Sequence, residues 1–320
     1  MQLGVMIEGQ EGLTWTRWRQ IMACVEALGF ESLWRSDHFM SLVDSTRDSL
    51  ETWVALTLTA AETTRLRFGP LVCPITFRHP ALLARMAAAV DALSGGRLVL
   101  GMGAGWNAQE HRAFGLPFPP LKARMDMLEE GLEVIVRLLG DEPARFAGRY
   151  YQLDGPNPHP KPVQRPRPPV LIGTTGEHRM LRLVARYADE WDVPGLITPA
   201  AYRAKRERLA AYCREINRDP REIRHCVSTA FLIGHNDREL RRRIGALQQL
   251  MPHLASLEAS AVLDVLQREE WLIGTPEQIV ASLQALAHEG VERVMLQHND
   301  QTDFEALELV AREVMPAVAT

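Results

Sequence analysis

Short apolar runs alternate with longer stretches whose apolar positions recur every three or four residues. The short runs cover 3–7, 32–35, 66–72, 98–102, 170–173, 190–193, 227–233 and 291–297, eight strand candidates in all. Between them, Trp15, Trp18, Met22, Val25 and Leu28 fall on one face of a helix, as do Leu82, Met86, Val90 and Leu93. Leu121, Met125, Leu128, Leu132, Ile135 and Leu139 form a third such face. Gly95-Gly96 stops the second of these helices. Thr198-Pro199 and Thr275-Pro276 place a capping hydroxyl before a proline at the first helical position. Thr275 with Gln278, and Thr302 with Glu305, have capping-box spacing.

Eight strands, each followed by helix, predict an α/β fold of the (β/α)8 TIM-barrel type, one domain over 1–320. Such barrels usually take roughly 250 residues. The surplus falls after strands four and seven, at about 140–169 and about 237–270. The first insertion contains PNPHPKPVQRPRPP, whose proline density excludes a regular helix or a central strand. An open doubly wound sheet is the alternative; the strand count and the absence of a composition break favour the barrel.

Composition acts here by exclusion. Apolar residues make up 46% and charged residues 24%, ordinary for a soluble globular protein. The net charge of -4 gives no reason to expect nucleic acid or an anionic membrane as partner. No apolar run approaches the roughly 20 residues that span a bilayer. Cys24, Cys73, Cys213 and Cys226 form no close pair, so neither zinc nor dithiol chemistry is expected, and a reducing cytoplasm is the expected setting. The N-terminus enters an apolar strand without the pattern of a signal peptide. The histidines are scattered without metal-ligand spacing, so no metal is expected. A Walker lysine and a Gly-x-Ser-x-Gly elbow are both missing.

The chemistry-bearing residues gather at strand ends, where parallel barrels place their ligands. Asp37 and His38 follow the second strand. A histidine there can carry a proton near neutral pH; capping the strand against a loop carbonyl is the plainer role. The third strand ends Gly69-Pro70-Leu71-Val72-Cys73-Pro74 and is expected to bulge. Its two readings, an edge distortion or a backbone pressed against a planar ligand, are evenly matched. Gly101, Gly103 and Gly105 alternate at the end of the fourth strand, before Trp106, Asn107, Glu110 and His111. Alternating glycines leave room for a flat ligand or a close backbone approach. Gly173, Thr174, Thr175 and Gly176 lie between the fifth strand and a helix expected from Glu177, which suits a phosphate or a plain turn.

Taken together, these segments resemble the luciferase-like monooxygenase superfamily, and within it the oxidoreductases dependent on the deazaflavin coenzyme F420. The matching stretches are LGVMIE, LGFESLWRSDHF, LVCPITFRHPALLARMAAAVDALSGGRLVLGMGAGWNAQEHRAFG, PVLIGTTGEHRMLRLVARYADEWD and WLIGTPEQI. The resemblance implies a barrel holding a flavin or deazaflavin at its strand ends. Asp37 and His38 would lie by the ring, with His38 exchanging the substrate's proton and Glu110 in reserve. Leu71 and Val72 would form a bulge with a non-proline cis peptide behind the ring. Gly103, Gly105, Trp106 and Glu110 would line the ring and the substrate side, and Gly173, Thr174, Thr175 and Gly176 would hold the phosphate.

Some sugar-oxidising relatives carry glutamate where this chain has Trp106, which argues against glucose 6-phosphate as substrate. The resemblance also implies a small-molecule substrate, a homodimer, and a flavin or deazaflavin reductase as partner. The family includes users of flavin mononucleotide (FMN), so an FMN-dependent two-component monooxygenase is the alternative activity. A non-catalytic flavin-binding protein is the second alternative. The Asp37-His38 pair leans toward F420.

Overall fold

The computed structural model describes residues 1–195 and 198–319. Its strands are β1 Gln2–Ile7, β2 Ser32–Arg35, β3 Arg67–Pro70, β4 Cys73–Pro74, β5 Leu100–Gly103, β6 Arg145–Ala147, β7 Gln152–Asp154, β8 Val170–Gly173, β9 Glu190–Pro194, β10 Arg224–Ile233, β11 Leu272–Gly274 and β12 Arg293–Gln297. Its helices include α1 Trp15–Ala27, α2 Thr52–Glu62, α3 Pro80–Ser94, α4 Ala108–Ala113, α5 Leu121–Leu139, α6 Arg179–Tyr187, α7 Pro199–Glu215, α8 Asp237–Leu250, α9 Ala259–Arg268, α10 Pro276–His288 and α11 Phe304–Leu309.

One parallel sheet runs in the order β3-β2-β1-β12-β10-β9-β8-β5-β4. β3 and β4 are two halves of the third barrel strand. The first half pairs with β2 and the second with β5, and the residues between them hand the strand from one neighbour to the other. A bridge between Phe68 and Leu98 brings the two ends of the sheet together into a barrel. Each of the eight predicted strands is present, and the third is shorter and split. β6 and β7 form a separate antiparallel hairpin inside the 140–169 stretch. The 237–270 stretch supplies α8 and α9, which build a small apolar core of their own around Ile244, Leu247, Val262 and Leu266.

Strand alternation sorts the core into two layers. Outward-facing residues such as Val5, Leu33, Ile172 and Val294 meet the helices. Inward-facing Met6, Trp34, Val99, Leu171, Cys226 and Met295 fill the barrel, with Leu71 and Val72 against them. At the amino-terminal end, buried Arg293 pairs with Glu31 (2.7 Å) and Glu190 and lies over Trp34 at 5.3 Å. These charges close the barrel floor, so a ligand has to enter at the opposite rim.

The helix signals hold in part. Thr198 caps α7, and Thr275 with Gln278 forms the capping box of α10. The Thr302–Glu305 box does not form: α11 starts later and is capped by Asp303, which accepts from the Ala306 amide. Helix α3 is rotated from the predicted face. Leu82 and Leu93 are 55% and 53% exposed, while Leu83, Ala84, Ala87, Ala88 and Val90 are buried. Alanines let this helix approach its neighbours closely, and that close approach decides the inward side over side-chain size.

Candidate functional site at the carboxyl rim

The β2 strand delivers Asp37 and His38 to the rim, and α4, just beyond β5, delivers Glu110. Asn107 caps α4, its Oδ1 accepting from the Glu110 amide at 3.1 Å, and this fixes where Glu110 starts. The Glu110 side chain is 0% exposed. Its Oε2 meets His38 Nδ1 at 2.8 Å and accepts from Asn107 Nδ2 at 3.3 Å. Its Oε1 accepts from the Phe39 amide and, at 3.3 Å, from that of Met40. One carboxylate therefore ties the loop after β2 to the loop after β5, across the split strand that separates them.

Burial of His38 works against its charged form, but the hydrogen bond and charge of Glu110, with Glu8 and Asp37 behind, outweigh it and raise the imidazole pKa. Glu110 as a carboxylate makes Nδ1 the protonated nitrogen, so Nε2 is the one left to exchange a proton. His38 keeps 14% of its side chain exposed. Trp106, 66% exposed, stands edge-on to the imidazole at 5.5 Å. Phe39 stacks on Phe77 at 4.4 Å and leans on Phe114 at 5.2 Å, which gives this side of the rim an aromatic wall.

Asp37 is differently employed. Both carboxylate oxygens are held by Arg78, whose Nη2 lies 3.1 Å from Oδ1, and Arg78 also reaches Glu51. Asp37 is thus a buried anchor for the loop that carries His38. His111 is bound through Thr76 Oγ1 (2.7 Å) and the Asn107 carbonyl (2.6 Å), so it fastens the loop after β4 to α4.

The Leu71–Val72 peptide is cis, and both residues are half-buried where the barrel interior opens toward the rim. Val72 crowds two of the alternating glycines and Gly173. A Cβ at Gly103 would stand 2.7 Å from Val72 Cγ2, one at Gly101 3.1 Å from Cγ1, and one at Gly173 3.2 Å from Cγ1. Gly69 and Gly101 admit no side chain at all, since a Cβ would lie 2.0 Å from the carbonyl oxygens of Val99 and Pro70. Gly105 has φ of +78° and turns the chain toward Trp106.

At the turn after β8, Thr174 donates its amide to the Asp192 carbonyl (2.9 Å), and Gly176 donates to Thr174 Oγ1 (2.8 Å). Helix α6 starts at Arg179, two residues later than the sequence suggests. With those amides engaged, an anion here would look to Thr175 and to Lys205, whose Nζ donates to the Thr175 carbonyl at 2.8 Å and would share its charge with Glu177, 3.2 Å away.

The sequence pattern singles out Asn107 without showing its capping role, and it passes over Arg78, Lys205 and Asp192. Asp192 is 2% exposed and faces inward from β9, with Oδ2 accepting from Ser228 Oγ at 2.9 Å and Oδ1 without a hydrogen-bond partner among the described residues. Desolvation pushes its pKa up to about 7, against the pull of Ser228 and Arg293. The signal was available: an acid at an inward position near a strand's carboxyl end. Among the described residues no cluster of His, Cys, Asp or Glu could hold a metal ion.

The half-buried bulge at the rim and a buried carboxylate oxygen with no hydrogen-bond partner among the described residues fit a flat, polar-edged ring. Leu71 and Val72 would back such a ring, His38 and Trp106 would flank it, and Thr175 and Lys205 would meet an anionic tail. A parallel barrel with its reactive groups gathered at the carboxyl rim defines the TIM-barrel class. Within that class the chain belongs to the luciferase-like monooxygenase family, which matches residues 1–293.

Among its relatives, the F420-dependent hydroxymycolic acid dehydrogenase of Mycobacterium tuberculosis is 27% identical over 307 residues, 91% of this chain and 81% of that protein. An F420-dependent glucose-6-phosphate dehydrogenase of Kineococcus radiotolerans is 35% identical over 142 residues, 43% of this chain and 41% of that one. Among solved structures, an F420-dependent secondary alcohol dehydrogenase in complex with an F420–acetone adduct superposes with a TM-score of 0.83 at 21% identity, covering 100% of this chain and 99% of that one. The monooxygenase RslO1 of Streptomyces bottropensis gives 0.83 at 22%, covering 99% of each. At these identities the structural matches speak to the fold.

Proposed function

We propose that this protein transfers a hydride between coenzyme F420 and a small organic substrate whose reacting carbon bears a hydroxyl or carbonyl. The His38–Glu110 pair beside the bulged strand carries the reading. When bound, the deazaflavin supplies a ring carbon that takes or gives a hydride. The protein's part is to orient and to move one proton. Leu71 and Val72 back the ring. His38 Nε2 takes the hydroxyl proton in oxidation or returns it in reduction, while Glu110 holds Nδ1–H and steadies the imidazolium. Trp106, Phe39 and Phe77 keep water from the reacting atoms and favour a substrate with an apolar body. The relatives named for F420 support this cofactor.

The test is anaerobic mixing of the protein with F420 and a panel of secondary alcohols, followed by the deazaflavin absorbance. Bleaching that depends on the alcohol is expected. Binding of FMN in preference to F420, with oxygen uptake on supply of reduced FMN, would replace this reading with that of a two-component monooxygenase. That second reading is favoured by one contact: Arg47 Nη2 donates to the Leu250 carbonyl at 3.2 Å and ties the loop after β2 to the α8–α9 region, which could then act as a cover.

A further inference from the structure

Asp192 stands outside the reaction described above, and its surroundings set it apart. It is an acid sealed inside the barrel, with one oxygen held by Ser228 and the other without a hydrogen-bond partner among the described residues. A buried polar atom left unmatched costs stability, and such an atom in a native protein calls for a reason. Its neighbours supply one. Gly173, on the adjoining strand, has no side chain, and a Cβ there would come 3.6 Å from Asp192 Oδ2 and 3.2 Å from Val72 Cγ1. The acid therefore neighbours the Val72 methyls of the bulge, with no side chain on Gly173 to separate them. The Asp192 backbone is also fixed, since its carbonyl receives the Thr174 amide at the start of the turn beyond β8.

The charged and titratable groups around Asp192 are Arg293 on the floor, Glu190 on its own strand, Cys226 on β10 and Tyr202 on α7. Arg293 is already paired with Glu31 and Glu190, so among the described residues Asp192 has no cation of its own. An acid in this position repels a phosphate. It suits a neutral group that offers both a donor and an acceptor side by side.

A deazaflavin or flavin ring has one edge of that kind, the pyrimidinedione, where an N–H lies between two carbonyls. We infer that Asp192, steadied by Ser228, is the anchor for the pyrimidinedione edge of the bound ring. The protonated acid donates to a ring carbonyl and accepts from the ring N–H; the ionised acid keeps just the second bond and faces a carbonyl with negative charge. The inference rests on the cofactor reading above and adds to it a contact and a pH dependence.

The test measures F420 dissociation constants by fluorescence titration for the wild type, Asp192→Asn and Asp192→Leu, with melting curves to confirm folding. The cofactor's own ionisation is common to all three and cancels in ratios. Wild-type affinity is expected to fall about tenfold between about pH 6 and about pH 8.5 relative to Asp192→Asn, which mimics the protonated acid at every pH. Asp192→Leu should bind about tenfold more weakly than wild type at the lower pH. Equal affinity of folded wild type and Asp192→Leu, or a constant ratio of wild type to Asp192→Asn across pH, would overturn the inference and leave Asp192 as an acid that bonds water. Failure of the wild type to bind F420 at either pH would instead overturn the cofactor assignment itself, and the anchor with it.

Discussion

Glu110 gathers four hydrogen-bond donors or partners onto one buried carboxylate, and His38 takes its charge state from that arrangement. Replacing His38 with alanine should lower kcat by about 100-fold or more while F420 affinity stays within about threefold, a split read by steady-state kinetics beside fluorescence titration. Glu110→Gln should displace the pH profile of kcat toward lower pH, because the anion that holds the imidazolium is gone. The raised His38 pKa also has a sign for stability. Its contribution is complete below the ordinary value of 6.5 and is lost as pH rises through the higher folded value, so the melting difference between wild type and His38→Gln should shrink across that window. Asp192 also has a raised pKa, with the folded form keeping its proton to about 7 where the unfolded chain loses it near 3.8. Wild-type stability should therefore fall between those values, and Asp192→Asn should melt higher at about pH 8 by about 3 °C or more, with no such gain at about pH 4.

At the level of strands and helices, much of the scaffold is legible in the sequence, because a buried parallel strand must be a short apolar run and a helix must repeat its apolar face. The β6–β7 hairpin escapes such reading: RFA and QLD are three residues each, half polar, and set in proline-rich surroundings. The inward side of α3 escapes it as well, since alanines pack against the neighbours while Leu82 and Leu93 face out. The site is legible as a set of strand ends but not as a set of partners. Nothing in spacing says that His38 and Glu110 meet across 72 residues, or that Arg78 claims Asp37; the split third strand decides both. The glycines at the end of β5 can be separated by experiment. Gly101→Ala drives a Cβ into the Pro70 carbonyl and should cost about 3 kcal/mol or prevent folding, as read by urea melts. Gly103→Ala meets a valine methyl, which can rotate, so it should fold and show its effect in cofactor affinity.

For the molecule as a whole, the barrel has a floor of paired charges and a rim of reactive ones. Arg293→Met would leave Glu31 and Glu190 to share the more exposed Arg224, 3.2 and 3.9 Å away, and should destabilise the fold by about 3 kcal/mol, measurable by denaturant unfolding. A separate, largely apolar groove of about 900 Å³, lined by Trp15, Trp53, Val54, Leu58 and Met86 among others, lies on the outer wall and meets the rim's charge network through Glu51. Val72 touches the vacant positions of three glycines on two strands, so its two methyl groups set the bore of the barrel at that level. Alanine there would widen the aperture and isoleucine would narrow it, while the surrounding strands keep their pairing. A single position in the chain thus works as a gauge for the thickness and tilt of whatever planar molecule is admitted, and offers protein engineers a dial that leaves the proton-handling pair alone.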